Sequence, residues 1–369
     1  MQKLISFLVI ISLFLPAGFT QILTTSVSGG SPKAWTGERI GITDIHITYN
    51  KPGVKGREGK IWGDLVSYGY TDLGFGTSKA APWRAGADEN TTITFSTDVM
   101  IEGKPLPAGK YGFFIAMRES DADLIFSKNS TSWGSYFYDP KEDVLKVVVK
   151  NVRSTESVER LKYEFTDQKE NSAVVTLHWE KMKIPFTISI DPIKTQLESF
   201  RKELRSDIGF NPDAWVQAVN FSVQNNTNLE EALTWSDYAI NGVFVGQKNF
   251  KTLSAKANVL NKLGRTAEAD IIIKEAMPMA TMQEMHQYAR QLIRNKKPAD
   301  ALAAYKMNAQ KNPNVFTTNM GLSRGYSATG DFKNASKYAK LALAQAPDKA
   351  NKDAVEGFIK KLEEGKDIN

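Results

Sequence analysis

Up to about residue 191 the chain alternates in twos. In "GITDIHITYN", after Ile42, the side chains Ile45, Ile47 and Tyr49 share one side, and Asp44 and His46 share the other. "TTITFSTDVMI" places Ile93, Phe95, Val99 and Ile101 as buried positions. "LKVVVKNV", "RLKYEFTD" and "SAVVTLHWEKMKIPFTISID" continue with β-branched and aromatic residues, which suit a pleated, half-buried surface. Turn-forming stretches such as "KPGVKGREGK", "GKPLPAGKYG" and "YDPKED" separate these runs. Short strands in succession without an intervening helix predict an all-β antiparallel sandwich or barrel over residues 21–191.

From residue 192 the period becomes helical. "PIKTQLESFRKELRSDIG", opened by a proline, predicts a linking helix over residues 192–210. Beyond it lies an internal repeat: Ala301 and Ala335 are 34 residues apart, and so are Pro313 and Pro347. With Leu322, Tyr326, Gly330 and Asp331, the last unit resembles the tetratricopeptide repeat. Ala232/Ala239 and Ala269/Ala276 keep the same pair of small residues, at unit spacings of 37 and 32, and Asn308 replaces the second Ala of the third unit. About four units over residues 211–346 and a polar capping helix within 211–369 are expected. One such unit cannot bury its apolar face alone, so the units share a core by stacking. Stacked helix pairs form a groove for a protein or peptide partner. Asn258, Asn261, Tyr288, Arg290 and Asn319 are the candidate groove residues.

Length and composition fit two or three globular domains: 369 residues, 41% hydrophobic and 24% charged. The first 20 residues read as a signal peptide. One Lys precedes an apolar run over residues 4–15 that is shorter than the roughly 20 residues of a membrane span. No comparable run recurs, so no membrane span is expected after signal removal. Cysteine is absent, which removes thiol catalysis, Cys-based zinc sites and lipid attachment at an N-terminal Cys, and fits a bacterial envelope protein. An exported protein, periplasmic or extracellular, is the expectation. Residues 21–191 hold 21 Lys and Arg against 22 Asp and Glu, while residues 192–369 hold 25 against 19. The basic excess is scattered among acids at helical spacing, so no nucleic-acid partner is expected.

Five motifs in order carry a further resemblance: "YNKPGVKGREGKIWG", "PWRAGADENTTITF", "LPAGKYGFF", "WGSYFYDPKEDVLKV" and "LHWEKMKIPFTI". Together they resemble the Domain of Unknown Function 2911 family over residues 31–191. The resemblance implies an exported bacterial β-domain, followed in several members by helical repeats, and brings no reaction with it. Lys51 stands where the family favours Arg, Asp88 where Asn is usual, and residues 67–82 form a longer connection.

The chemistry-bearing candidates cluster in the β half. Arg84 beside Asp88 and Glu89 in "WRAGADE" is able to lock a loop, orient a ligand, or serve a hydrolase in which Asp88 or Glu89 is the acid or base and Arg84 orients the substrate. A non-enzymatic ligand-binding role is preferred here. Arg57 in the glycine-rich loop joins this set if it shares a cleft with Arg84, and Trp83, Trp133 and Tyr136 are candidate contacts for a small polar or glycan-like ligand. The three histidines lack metal-ligand spacing, and no phosphate-binding or dinucleotide fingerprint is complete. Neither a metal nor a cofactor is expected.

Overall fold

The structure is a computed structural model that describes residues 30–369. The signal-peptide expectation lies outside the described residues. Among them, no helix is long and apolar enough to cross a membrane. The chain divides into two compact units between Thr195 and Gln196.

The first unit holds ten strands: β1 (Lys33–Ile40), β2 (Thr43–Asn50), β3 (Thr91–Phe95), β4 (Val99–Ile101), β5 (Lys104–Leu106), β6 (Gly109–Met117), β7 (Asp121–Ser127), β8 (Asp143–Lys150), β9 (Val152–Thr166) and β10 (Ser172–Ser189). They form two antiparallel sheets, ordered β1-β2-β3-β6-β7-β8 and β5-β4-β10-β9. Period-two alternation decides the faces. Ile45, Ile47, Ile93, Phe95, Val99 and Ile101 are all buried in one core with Phe113, Phe126, Trp179 and Phe186.

Strand β6 from Tyr111 onward and strand β7 from Leu124 onward are buried on both faces. Phe114, Ala116 and Ile125 form a second apolar cluster with Tyr138, on the side opposite the main core. Loop segments run along the free end of β6. Trp83 exchanges backbone hydrogen bonds with Ile115 (2.9 and 2.8 Å), and the Gly69 amide donates to the Met117 carbonyl at 2.7 Å. The short β3 pairs only as far as Phe113, so this segment extends its place in the sheet.

The helices are α1 (Pro192–Glu203), α2 (Pro212–Gln224), α3 (Leu229–Asn241), α4 (Phe250–Lys262), α5 (Thr266–Ala276), α6 (Met282–Arg294), α7 (Pro298–Lys311), α8 (Phe316–Ala328), α9 (Phe332–Leu343) and α10 (Lys349–Glu363). Four successive pairs, α2/α3 to α8/α9, pack as hairpins and α10 covers α9. Beyond α1 the helices thus make four hairpins and a final helix. The predicted linking helix ends at Glu203, and a 3₁₀ turn follows at Asp207–Phe210. The small positions Ala232/Ala239, Ala269/Ala276, Ala301/Asn308 and Ala335/Ala342 are all completely buried. Asn308 keeps its place there because its carboxamide donates to the Met282 carbonyl at 2.8 Å.

Close approach is tightest at α8. A Cβ on Gly321 would stand 2.5 Å from the Tyr305 ring, and one on Gly325 would stand 2.9 Å from it. The joint between α4/α5 and α6/α7 is more open. Helix α4 packs on α2 and α3, and α8 on α6 and α7, but a 3₁₀ turn at Met277–Met279 intervenes between α5 and α6. The unit spacing of 32, from Ala269 to Ala301, falls at this joint, and the spacing of 37 falls at the preceding connection, from α3 to α4.

Candidate functional site

The segment "APWRAGADENTT" is a backbone-strained corner built from its own hydrogen bonds. Ala85 and Asp88 both adopt left-handed φ (53° and 57°), a conformation costly for residues other than glycine. The corner is pinned where it is strained: the Thr91 hydroxyl donates to the Ala85 carbonyl at 3.0 Å and the buried Tyr163 hydroxyl donates to it at 2.8 Å. Arg84 donates to the Asp88 carbonyl at 2.9 Å and lies 5.1 Å from the centre of the Tyr136 ring. Gly134 lets it in, since a Cβ there would stand 2.4 Å from the guanidinium carbon.

Arg84 therefore engages the backbone of the acidic stretch and not its carboxylates. Among the described residues no hydrogen bond or ion pair reaches the Asp88 carboxylate. Glu89 turns elsewhere: Asn50 donates to its carboxylate at 2.5 Å and Lys33 stands 3.5 Å away. The Asn50 hydrogen bond, with Lys33 adding to it against partial burial, holds the Glu89 carboxyl below the usual carboxylate range.

Arg84→Ala is expected to cost roughly 2 kcal/mol, from one charge-assisted hydrogen bond and one cation–ring contact. Glu89→Gln is expected to change stability by less than about 0.5 kcal/mol, because it lies at a partly exposed edge. Urea unfolding of the full chain, followed by tryptophan fluorescence, compares the two.

Apart from Tyr136, the other candidates do not converge on Arg84. Arg57 donates to the carbonyls of Val54 (2.9 Å) and Gly53 (2.8 Å), so its guanidinium braces its own loop. Trp83 is half-buried against the core and donates to the Gly86 carbonyl at 3.1 Å. Tyr136 packs edge-on against Phe75, which also meets Phe137. Phe75, Phe137 and Trp133 are 64%, 47% and 58% exposed, so an aromatic rim exists and includes two residues that sequence reasoning passed over. Phe75 sits in "DLGFG", which reads only as a turn.

A polar depression of about 290 Å³ lies beside Glu89 on the outer face of the larger sheet. Its floor holds Thr48, Asn50 and Thr92, and its sides hold Glu89, Lys33, Lys110, Ser130 and Thr131. Of the residues singled out from the sequence, Glu89 alone lines it.

In the helical unit the open joint forms a cleft of about 450 Å³ between α4, α5, α6 and α7. Asn258, Asn261 and Tyr288 line it together, joined by Gln291 and Asn295. Burial raises the Tyr288 hydroxyl above its ordinary value, with Asp300 and Asp270 adding to the effect. Two predicted groove residues stand apart from this cleft. Asn319 is buried and donates to Gln345 at 2.8 Å, and Arg290 is exposed outside the cleft lining. No cluster of metal-ligating side chains occurs among the described residues.

No curated protein matches the chain. Among solved structures, the chain is similar to YrrB, titled a TPR protein with an unusual peptide-binding site. That likeness has 17% identity and a TM-score of 0.28, over 45% of this chain and 84% of that one. A tetratricopeptide repeat protein from Parabacteroides merdae is similar at 14% identity and a TM-score of 0.30, over 47% of this chain and 70% of its own. Over residues 31–188 the chain matches the model of the family described as Protein of unknown function (DUF2911).

Proposed function

We propose that this is an exported binding protein whose helical repeats hold a segment of a partner protein and whose β-domain holds a small polar ligand. The observation that carries the first part is the cleft at the open joint. Asn258, Asn261, Gln291 and Asn295 present carboxamides there, each able to donate and accept, beside the half-buried Tyr288. An extended peptide needs that pairing for its own backbone groups, and an aromatic side chain supplies the apolar contact. Export rests on the N-terminal apolar run alone.

Binding is favoured over turnover at the β-domain corner. A proton donor needs a carboxyl raised toward neutrality, and Glu89 is held in the opposite direction. Arg84 is spent on Asp88 backbone and Tyr136.

The test is peptide selection on the full chain from a random display library. Selected peptides are expected to bind at least about tenfold more weakly to Tyr288→Ala and to Asn258→Ala, a loss of about 1.4 kcal/mol each. Failure to enrich any peptide, or enrichment of peptides indifferent to both substitutions, overturns the reading.

A further inference from the structure

The outer face of the larger sheet carries a row of side chains that is legible only from strand register. Trp35 on β1 pairs with Thr48 on β2, Thr48 pairs with Thr92 on β3, and Thr92 pairs with Gly112 on β6. Directly paired residues of antiparallel strands project from the same face, so these four positions form one transverse line. Ala34 and Ile47, the alternate positions, face the core. At about 4.8 Å per strand the line from Trp35 to Thr92 runs roughly 10 Å.

The line ends at a wall. At Gly112 a Cβ would stand 2.0 Å from the Asn129 carbonyl oxygen, so the loop after β7 sits directly on the sheet there. Asn90 fixes it by donating to the same carbonyl at 2.9 Å. Ser130 and Thr131 of that loop line the depression, and so do Glu89 and Asn50. The opposite end of the line is Trp35, 78% exposed. The result is a trough with a hydroxyl-bearing floor, polar walls and an aromatic side chain at its mouth.

We propose that this trough is a carbohydrate site that takes a pyranose oligosaccharide, one ring in the depression and the next against Trp35. The proposal deepens the reading that the β-domain binds a small polar ligand, and it rests on that reading.

Four features select a sugar. The depression, at about 290 Å³, lies just below the roughly 300–1,000 Å³ typical of small-ligand sites, so it takes one compact ring and not an extended side chain. Its groups are mixed: Glu89 only accepts, Lys33 and Lys110 only donate, and Thr48, Thr92 and Asn50 do both. Neighbouring sugar hydroxyls, each a donor and an acceptor, satisfy such a set. A simple anion would meet the ionised Glu89 carboxylate within the same walls. Finally, the apolar C–H face of a pyranose needs an aromatic surface, and Trp35 supplies one next to the polar floor.

The test uses the full chain, with titration calorimetry against β-1,4 hexamers of glucose, of N-acetylglucosamine and of mannose. At least one hexamer is expected to bind. Trp35→Ala is expected to weaken it about tenfold or more, Trp35→Phe by no more than about threefold, and Thr92→Val about tenfold. Trp35 is exposed, so its substitution is expected to leave the unfolding midpoint unchanged. Binding that survives both Trp35→Ala and Thr92→Val places the sugar elsewhere and overturns the proposal. If no hexamer binds while free amino acids bind in a manner sensitive to Glu89→Gln, the carbohydrate class falls and the small-ligand reading stands. If nothing binds, both fall.

Discussion

Trp179→Ala is expected to destabilise the β-domain by about 3–5 kcal/mol, the range for deleting a fully buried indole. Trp179 is 1% exposed and completes a triangle with two other indoles. Its ring stacks on Trp83 at 6.0 Å with 21° between planes and meets Trp62 edge-on at 5.8 Å; Trp62 meets Trp83 edge-on at 5.6 Å. Removing this ring leaves a cavity that two rigid neighbours cannot fill by rotamer change. Trp179→Phe is expected to cost much less, under about 1.5 kcal/mol. It keeps an aromatic ring and deletes an indole N–H that has no hydrogen-bond partner among the described residues. Urea unfolding of both variants, read by near-ultraviolet circular dichroism, separates the packing contribution from the polar one. Equal losses for Phe and Ala would show that the N–H matters more than the ring.

The helical unit is expected to lose about 2 kcal/mol between pH 7 and pH 5 through His286 alone. His286 is buried against the Tyr305 ring, with centroids 5.4 Å apart, and its Nδ1 has no partner among the described residues. Burial, with Arg324 and Arg290 adding to it against a hydrogen bond to the Thr317 backbone, lowers its pKa to about 4. The unfolded chain takes up the proton near pH 6.5 and the folded one only near pH 4, so between these values the unfolded state binds more protons. The contribution is complete above pH 6.5 and is lost as pH falls toward 4. Thermal unfolding followed at 222 nm, where the helices dominate, checks it. His286→Gln fills the same space without titrating and is expected to flatten the pH 5 to 7 difference. An unchanged slope in that variant would assign the effect to other groups.

Elements whose faces follow one period were legible in the sequence. Strand β2 shows its inner and outer rows in the letters themselves, and the small pairs Ala232/Ala239 and Ala335/Ala342 mark where helices touch. Asn308 breaks that pattern in its letter but not in its role, because a carboxamide with a buried carbonyl to reach is tolerated where an unpaired one is not.

Other features depended on what comes from far along the chain. In β10 the residues Leu177, His178, Trp179 and Glu180 are all buried, against strict alternation. The register with β9 shifts on both sides of Glu180, which has a φ of 50°, so the bulge turns consecutive side chains inward. On the outer face of β6 and β7, Phe114, Ala116 and Ile125 are buried because Tyr138 from a later loop packs with them. At the "WRAGADE" corner, the charges lie close in sequence, which invites reading them as one site. The fold sends Arg84 to a carbonyl and to Tyr136, and Glu89 to Asn50.

Periodicity and residue size are properties of neighbours in the chain, and so the two domain classes, the strand faces and the repeat contacts are readable along it. Pairing across strands, and the partners that satisfy each charge, are properties of neighbours in space. Only the tertiary structure brought Trp35, Thr48 and Thr92 into line on one sheet face, and gathered Asn258, Tyr288 and Asn295 around one cleft.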